Sequence, residues 1–325
     1  QRMARRKEIG TQAREEYWKG IFGDLDKMEN SPHDLYHLAQ NCQKKDLLPK
    51  LFQCCGTEDE LMVLNMVKKG LFGQIVHCEG GYQHDLRNEI SFGRENRHYR
   101  LRNYMNRNCE NYPTHELGPI AQILDINRGN RFLSLVSVAS KSAGLNQFAA
   151  DHPNANPELA TAKFAQGDVV TTVIKCARGE TITLHLDTSL PRPYSRGFTI
   201  QGTKGMYQED TRSFFIDADM GGKDHWDWSP EWNNQVKYFE KYRHPVWVDY
   251  LANGIRGGHG GMDGLVYNEF IECVRLGKPC PIDVYDGAAW MAVTALSEES
   301  IAKGGMPVAF PDFTNGAWCA YSVEE

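Results

Sequence analysis

Two short stretches of this chain crowd proton-moving side chains around residues that bend the backbone. Glu79-Gly80-Gly81-Tyr82-Gln83-His84-Asp85 and, further on, Tyr112-Pro113-Thr114-His115-Glu116-Leu117-Gly118-Pro119 each hold a tyrosine and a histidine beside glycine or proline. A phenol and an imidazole positioned together are suited to general acid–base chemistry. In an extended backbone Tyr82 and His84 point to one face. Two readings stand for them: a pair facing a cleft, or a core tyrosine followed by a turn histidine bonded to Asp85. Tyr112 and His115 lie where a turn opens a helix. Unpaired helix N–H groups there lower a histidine's proton affinity and favour developing negative charge. The competing reading is a helix start capped by Thr114.

A third stretch, Leu190-Pro191-Arg192-Pro193-Tyr194-Ser195-Arg196, is stiffened by two prolines. It reads either as a rigid loop presenting Tyr194 or as a connector with surface arginines. Arg100, Arg102 and Arg107 form a basic cluster ahead of Tyr112, the pattern of a solvated helix face. Gly257-Gly258-His259-Gly260-Gly261-Met262-Asp263 has the look of a phosphate cradle before a helix, with His259 as a candidate cofactor contact. It follows no clear strand, and Asp263 stands where a dinucleotide fingerprint has its last glycine. The sequence has no Gly-x-Ser-x-Gly elbow and no Gly-Lys-Ser/Thr phosphate loop. Nine cysteines (Cys42, Cys54, Cys55, Cys78, Cys109, Cys176, Cys273, Cys280, Cys319) lack the spacing of a disulfide framework or a zinc site, and read as mostly reduced core residues. No metal is expected.

The elements that must position these residues can be read from periodicity. Residues 1–48 read as two polar helices, with Ser31-Pro32 as a restart signal, and Pro49–Cys55 as a short strand. Leu61–Lys69 has helical spacing closed by Gly70, Gly73–Glu79 reads as a strand, and Glu116–Ile126 as a helix. From Asp168 to Phe215 the period changes to two. Val170–Cys176 and Thr181–Asp187 form a hairpin about Ala177-Arg178-Gly179-Glu180, followed by strands at Phe198–Thr203 and Arg212–Ile216. These predict an antiparallel sheet covered by helices at Leu265–Leu276 and Val284–Lys303. Trp226–Tyr250, rich in aromatics and without a regular period, reads as a long packed loop.

Six stretches together resemble glycoside hydrolase family 109: Leu61–Val67, Glu79–Arg87, Arg107-Asn108 with Tyr112–Pro119, Leu190–Arg196, Gly257–Asp263 and Pro311–Gly316. These are NAD-dependent α-N-acetylgalactosaminidases of the wider Gfo/Idh/MocA group. The resemblance covers about residues 61–320. It implies an α+β fold with a large, mostly antiparallel sheet covered by helices. It also implies a redox route to hydrolysis, with NAD oxidising C3 of the sugar, loss of the C2 proton, elimination, water addition and return of hydride. Such enzymes stand outside the two-carboxylate scheme. By motif match Tyr112 and His115 would move protons, Arg100 and Tyr194 would orient the sugar, and Tyr82 and His84 would line the cleft. The open sheet face in such domains commonly pairs with a second subunit. Family members carry a Rossmann domain ending in a strand and Glu-Asn-Cys-Cys-Tyr, where this chain reads Phe52-Gln53-Cys54-Cys55-Gly56. Residues 1–60 instead resemble a fragment of an α/β-hydrolase serine esterase, with Asp59 at the triad-acid position, in place of a complete Rossmann domain. The chain is thus expected to join two incomplete proteins near Cys54-Cys55, a short α/β fragment (1–60) and a sugar-binding domain (61–325). A non-catalytic remnant and a sugar dehydrogenase are the alternatives.

Composition narrows the partners. At 325 residues, 41% apolar and with formal charge −6, the chain can bury a large core and has no Lys/Arg stripe for nucleic acid or an anionic membrane. A small neutral or weakly charged ligand suits it better. No window approaches the roughly 18 apolar residues of a membrane span. Gln1–Lys7 is basic without the apolar run of a signal peptide, and the start at Gln1 suggests missing upstream sequence, so the expectation is a soluble protein of undetermined location.

Overall fold

The computed structural model describes residues 57–91, 99–221, 229–254 and 258–320. The helices expected in 1–48, the strand at 49–55 and the junction at Cys54-Cys55 lie outside the described residues. Eight strands form one mixed sheet: β1 (Ile75–Gln83), β2 (Phe132–Ala139), β3 (Val169–Cys176), β4 (Thr181–Asp187), β5 (Thr199–Gly202), β6 (Gly205–Gln208), β7 (Ser213–Ile216) and β8 (Val308–Ala309), in the order β7-β6-β5-β1-β4-β3-β2-β8. The β1–β4 pair is parallel and the other neighbours run antiparallel. The helices in chain order are α1 (Glu58–Lys68), α2 (Arg87–Ser91), α3 (Tyr99–Asn106), α4 (Thr114–Ile123), α5 (Gly144–Asp151), α6 (Asp217–Met220), α7 (Val236–Tyr242), α8 (Pro245–Ala252), α9 (Met262–Leu276) and α10 (Val284–Ala302). None of these helices is long and apolar enough to cross a membrane.

Alternation fixes which face of the sheet is covered. Val170, Thr172, Ile174 and Cys176 of β3 are buried, as are Ile182, Leu184 and Leu186 of β4 and Cys78, Gly80 and Tyr82 of β1. Register aligns Tyr82 with Leu186 and Leu186 with Val170. One apolar ladder therefore crosses three strands and carries the α2, α3 and α5 core residues Ile90, Leu101, Tyr104, Leu145 and Phe148. The other face carries Thr171, Val173, Lys175, Thr183 and His185, none of them buried.

The chain divides into two compact units, each described by itself. The described residues within 62–242 and 288–325 form one, which holds the sheet; those within 1–61 and 243–287 form the other. In the latter, Trp247 and Tyr250 of α8 pack with Leu265 of α9 and with Leu61, and Arg243 pairs with Glu58. Asp59 sits in the first turn of α1 and accepts the Thr57 hydroxyl.

Three differences from the sequence reading have local causes. Trp226–Tyr250 is not a long loop: its described part holds α7 and α8. Pro245 at the first helical position and the His244 ring accepting Val246 N–H start α8. The β2 strand went unread because a register shift near Phe132 breaks its alternation, and α9 begins three residues before Leu265. The predicted β3–β4 hairpin is present, and the helix expected over Glu116–Ile126 is present as Thr114–Ile123.

The Gly80-Gly81 pair matters for close approach. A Cβ on Gly80 would lie 2.6 Å from Glu116 Cβ and 3.2 Å from Ile120 Cδ1, and one on Gly81 would lie 2.3 Å from the His185 carbonyl. Glycine at 80 thus lets α4 press onto β1. Glu116 Cβ is fixed to the helix backbone and cannot swing aside, so Gly80→Ala is expected to destabilise the chain by about 1–3 kcal/mol, the range for overpacking. An unchanged urea midpoint would contradict this packing.

Candidate active site

Three segments bring the aromatic pairs to the C-terminal ends of the parallel strands β1 and β4. Tyr82 is the penultimate residue of β1 and is 8% exposed. His84 follows the strand, its N–H held by the Asp187 carbonyl at 2.9 Å. Tyr112 precedes α4 and His115 is in its first turn, with Pro113 at the cap position making no side-chain cap bond. The loop after β4 is tied to the end of β1 by Gln83–Ser195 backbone hydrogen bonds in both directions (3.2 and 2.9 Å), which brings Tyr194 alongside.

The rings form one connected group. Tyr82 lies 4.4 Å from Tyr112 and 5.2 Å from His115 between centroids, and Tyr112 lies 4.7 Å from His115. His84 stands edge-on to Tyr82 at 6.0 Å and to Tyr194 at 5.2 Å. Tyr82 is at the same time a member of the buried core, as the second reading has it, while His84 packs on the rings of Tyr82 and Tyr194. Asp85 is engaged elsewhere, binding Arg87 with both oxygens at 2.8 and 2.7 Å. That pairing holds its carboxyl below the ordinary range.

Arg100 closes the group from α3. Its guanidinium carbon lies 5.6 Å from the Tyr82 ring centroid, 4.8 Å from that of Tyr99 and 5.1 Å from that of Tyr112. The residue is 7% exposed and its Nε has no hydrogen-bond partner. Among the described residues no carboxylate lies within ion-pair distance of it. The basic cluster is therefore not a uniform solvated face: Arg100 is buried, Arg102 is exposed and Arg107 pairs with Glu298.

Burial pushes the Tyr82 phenol up to about 12, partly offset by the Arg100 cation. Tyr82 therefore keeps its proton near neutrality. The phenol oxygen lies 3.4 Å from His84 Nδ1, within hydrogen-bond reach. Tyr194, half exposed, accepts Arg196 Nε–H at 3.1 Å. The loop arginines are not both surface residues: Arg196 is buried, and Arg192 pairs with Asp187 at 3.0 Å.

Two residues near the group escaped the sequence reading. Tyr99 stacks on Arg100 from outside, and its adjacency to that arginine was the available signal. Glu110 is wholly buried. Its N–H is held by Ser297 Oγ of α10 at 2.9 Å, its Oε1 accepts Tyr112 N–H at 3.3 Å, and its Oε2 has no partner. Burial pushes this carboxyl up to about 8. A glutamate between a cysteine and an asparagine gives no such sign in sequence.

His259 belongs to the other compact unit. Its imidazole is largely exposed and bonds Asp263 at 3.0 Å, and Asp263 is a buried carboxylate in the first turn of α9. A negative side chain thus already occupies the helix end where a dinucleotide phosphate would have to sit. The Gly258–Gly261 turn does not fit that group. Among the described residues no cluster of three or more His, Cys, Asp or Glu could hold a metal.

The family model of the glycosyl hydrolase 109 C-terminal domain matches residues 57–320. An α-N-acetylgalactosaminidase of Tannerella forsythia is 44% identical over 285 residues, covering 81% of this chain and 59% of the relative. A glycosyl hydrolase family 109 protein of Parabacteroides distasonis is 43% identical over 286 residues, covering 81% and 59%. The chain thus spans about three-fifths of the length of these relatives. Among solved structures, an NAD binding oxidoreductase from Klebsiella pneumoniae superimposes with a TM-score of 0.52 at 12% identity, covering 78% of this chain and 63% of that one. That likeness concerns the fold, which is of the Gfo/Idh/MocA type. With most of its length matched by the family model, the chain belongs to glycosyl hydrolase family 109.

Proposed function

We propose that the ring cluster around Arg100 binds the terminal N-acetylgalactosamine of an α-linked glycan and carries out the proton transfers of an elimination–addition hydrolysis. The observation that supports it is the buried Arg100, which has no carboxylate partner among the described residues and lies over the rings of Tyr82, Tyr99 and Tyr112. In the intact protein NAD would supply the oxidation at C3 that makes the C2 proton acidic. The side chains of this chain then act on the sugar itself. Tyr112 and His115 remove and return the C2 proton. Arg100 offsets the negative charge that then spreads onto the C3 oxygen, a charge absent from the ground state and therefore selectively stabilised. Tyr82, which stays protonated, serves as a donor at the cleft wall. Tyr194, on its proline-stiffened loop, orients the ring.

A second reading rests on the extent of the match: this chain carries the family's C-terminal domain, and its glycine-rich turn does not suit a dinucleotide. On that reading it binds the sugar without turning it over. Incubation with an aryl α-N-acetylgalactosaminide and NAD in deuterated water separates the two. Turnover with deuterium at C2 is expected for the first, with Tyr112→Phe and His115→Ala each slowing exchange by about 10²–10⁴-fold, the span of general acid–base contributions. Turnover without exchange would overturn the elimination route. Saturable sugar binding with no heat of NAD binding in calorimetry would establish the second reading. Accumulation of NADH absorbance would instead point to a sugar dehydrogenase.

The open sheet face is proposed to pair with a second copy of the chain. Val136 of β2 sits opposite Val173 of β3, and Val173 and Val138 are 43% and 54% exposed. Such neighbouring apolar side chains seek cover. A sedimenting dimer that Val138→Asp with Val173→Asp converts to monomer is expected, and a wild-type monomer would exclude the pairing.

Glu110 gives a prediction in pH. Its ordinary value of 4.5 is raised to about 8 by burial, with the Tyr112 N–H acting against the shift. Between these values the folded chain holds a proton the unfolded chain has released. Its contribution to stability is therefore complete below 4.5 and is lost as pH rises through about 8. Glu110→Gln keeps an acceptor for Tyr112 N–H and removes the titration. The variant's thermal midpoint is expected to fall less than the wild type's between about pH 5 and pH 8; parallel curves would mean that Glu110 is already ionised in the fold.

A further inference from the structure

The C-terminal end of α9 doubles back on itself. Gly277, left-handed at φ 63°, donates its N–H to the Val274 carbonyl at 3.4 Å, and Lys278 N–H reaches the Cys273 carbonyl at 2.9 Å. This is a Schellman closure, which returns the succeeding residues over the last helical turn. The Pro279 carbonyl, in the peptide group joined to Cys280, comes within 3.7 Å of Cys273 Sγ, which brings the Cys280 residue beside Cys273. Pro279 and Pro281 flank Cys280 and restrict the backbone that presents it. Cys273 is buried while Cys280 is partly exposed. Glu269 Oε1, 3.6 Å from Cys273 Sγ, is the nearby carboxylate, but no third ligand completes a metal site among the described residues.

We propose that Cys273 and Cys280 form a disulfide, a covalent modification site that staples the end of α9 to the loop after it. The partly exposed Cys280, as thiolate, attacks a low-molecular-weight disulfide such as glutathione disulfide and expels one glutathione. Cys273 then attacks the Cys280 sulfur of the mixed disulfide and expels the second. Two S–H bonds of the protein become one S–S bond, glutathione disulfide is reduced to two glutathiones, and the two protons end on those thiols. The surroundings bear on both rate and stability. Burial first, then Cys280 and Glu269, push the Cys273 thiol up to about 12, and burial raises Cys280 as well. Neither thiolate is stabilised in the reduced state, which is the reverse of a strongly oxidising pair. The bond forms slowly and resists reduction once made.

The test is equilibration of the purified chain in glutathione buffer with on the order of tenfold thiol excess over disulfide, then alkylation, tryptic cleavage at Arg275 and mass spectrometry. The expected result is a Cys273 peptide joined to a Cys280 peptide, two hydrogens lighter than their sum and separated by reduction, while exposed Cys319 is alkylated or singly glutathionylated. Cys273→Ser should leave Cys280 as a mixed disulfide with glutathione, and Cys280→Ser should leave Cys273 as a thiol. Oxidation should raise the thermal midpoint of the wild type and not that of Cys273→Ser. Recovery of both thiols alkylated while Cys319 is glutathionylated, or of a persistent glutathione adduct on wild-type Cys280, would overturn the assignment.

Discussion

The site depends on a cation, Arg100, that is buried with no carboxylate partner among the described residues. Taking a guanidinium out of water costs several kcal/mol. Arg100 receives in return the faces of Tyr82 and Tyr112, and of Tyr99, which is half exposed; such contacts are worth about 0.5–1 kcal/mol at exposed sites and about 2 kcal/mol when desolvated. Ring faces attract the cation but do not cancel its charge. The pocket keeps a positive potential, felt by Tyr82, whose phenol would be pushed higher still without Arg100. Glu110 does not remove that potential, because burial keeps its carboxyl protonated at neutral pH. A site so arranged is poised for negative charge that appears during reaction, which is the circumstance in which preorganised charge contributes most.

That arrangement holds only because three segments distant in sequence reach one spot. Gly80 lets α4 lie against β1, which sets Tyr112 and His115 over Tyr82. The α10 helix supports this from the side, with Ser297 Oγ holding Glu110 N–H and Ser300 Oγ taking Ser137 N–H of β2. The Glu110 carboxyl in turn accepts Tyr112 N–H, so the backbone of a site tyrosine is fixed by a chain of contacts running through the core. The Gln83–Ser195 bonds add Tyr194. Each contact is modest, and their joint effect is to leave the rings few alternative placements.

How much of this the sequence disclosed differs by residue. Tyr82, His84, Tyr112, His115 and Tyr194 stood out because they sit among glycines and prolines that mark backbone bends. The β3–β4 hairpin was legible because strict alternation on both arms meets a Gly-containing turn. Arg100 was legible through family resemblance alone; its own neighbourhood reads as a solvated helix, and only the fold reveals that the rings wrap it. Glu110 was not legible at all, since its character comes from complete burial against α10, far along the chain. The α8 helix was hidden by aromatic residues that obscure periodicity, although His244-Pro245 held a usable start signal. The β2 strand was hidden by its bulge. Local patterns thus disclosed the groups able to do chemistry, while long-range packing decided their charge states.

The carboxyl groups beside the ring cluster, among the described residues, bear on the hydrolytic route proposed above. A two-carboxylate glycosidase needs one acid and one base or nucleophile, both reaching the scissile bond. Asp85 is clamped by Arg87 and its charge is committed there. Asp187, raised by burial, is bound to Arg192. Glu110 lies beneath Tyr112, wholly buried, with one oxygen on that residue's N–H, and Glu116 is buried with its Cβ against Gly80. The groups that do converge are phenol, imidazole and guanidinium. They can take a proton from carbon, return it and hold the charge between the two events, which is the division of work that an elimination–addition route requires and a double displacement does not.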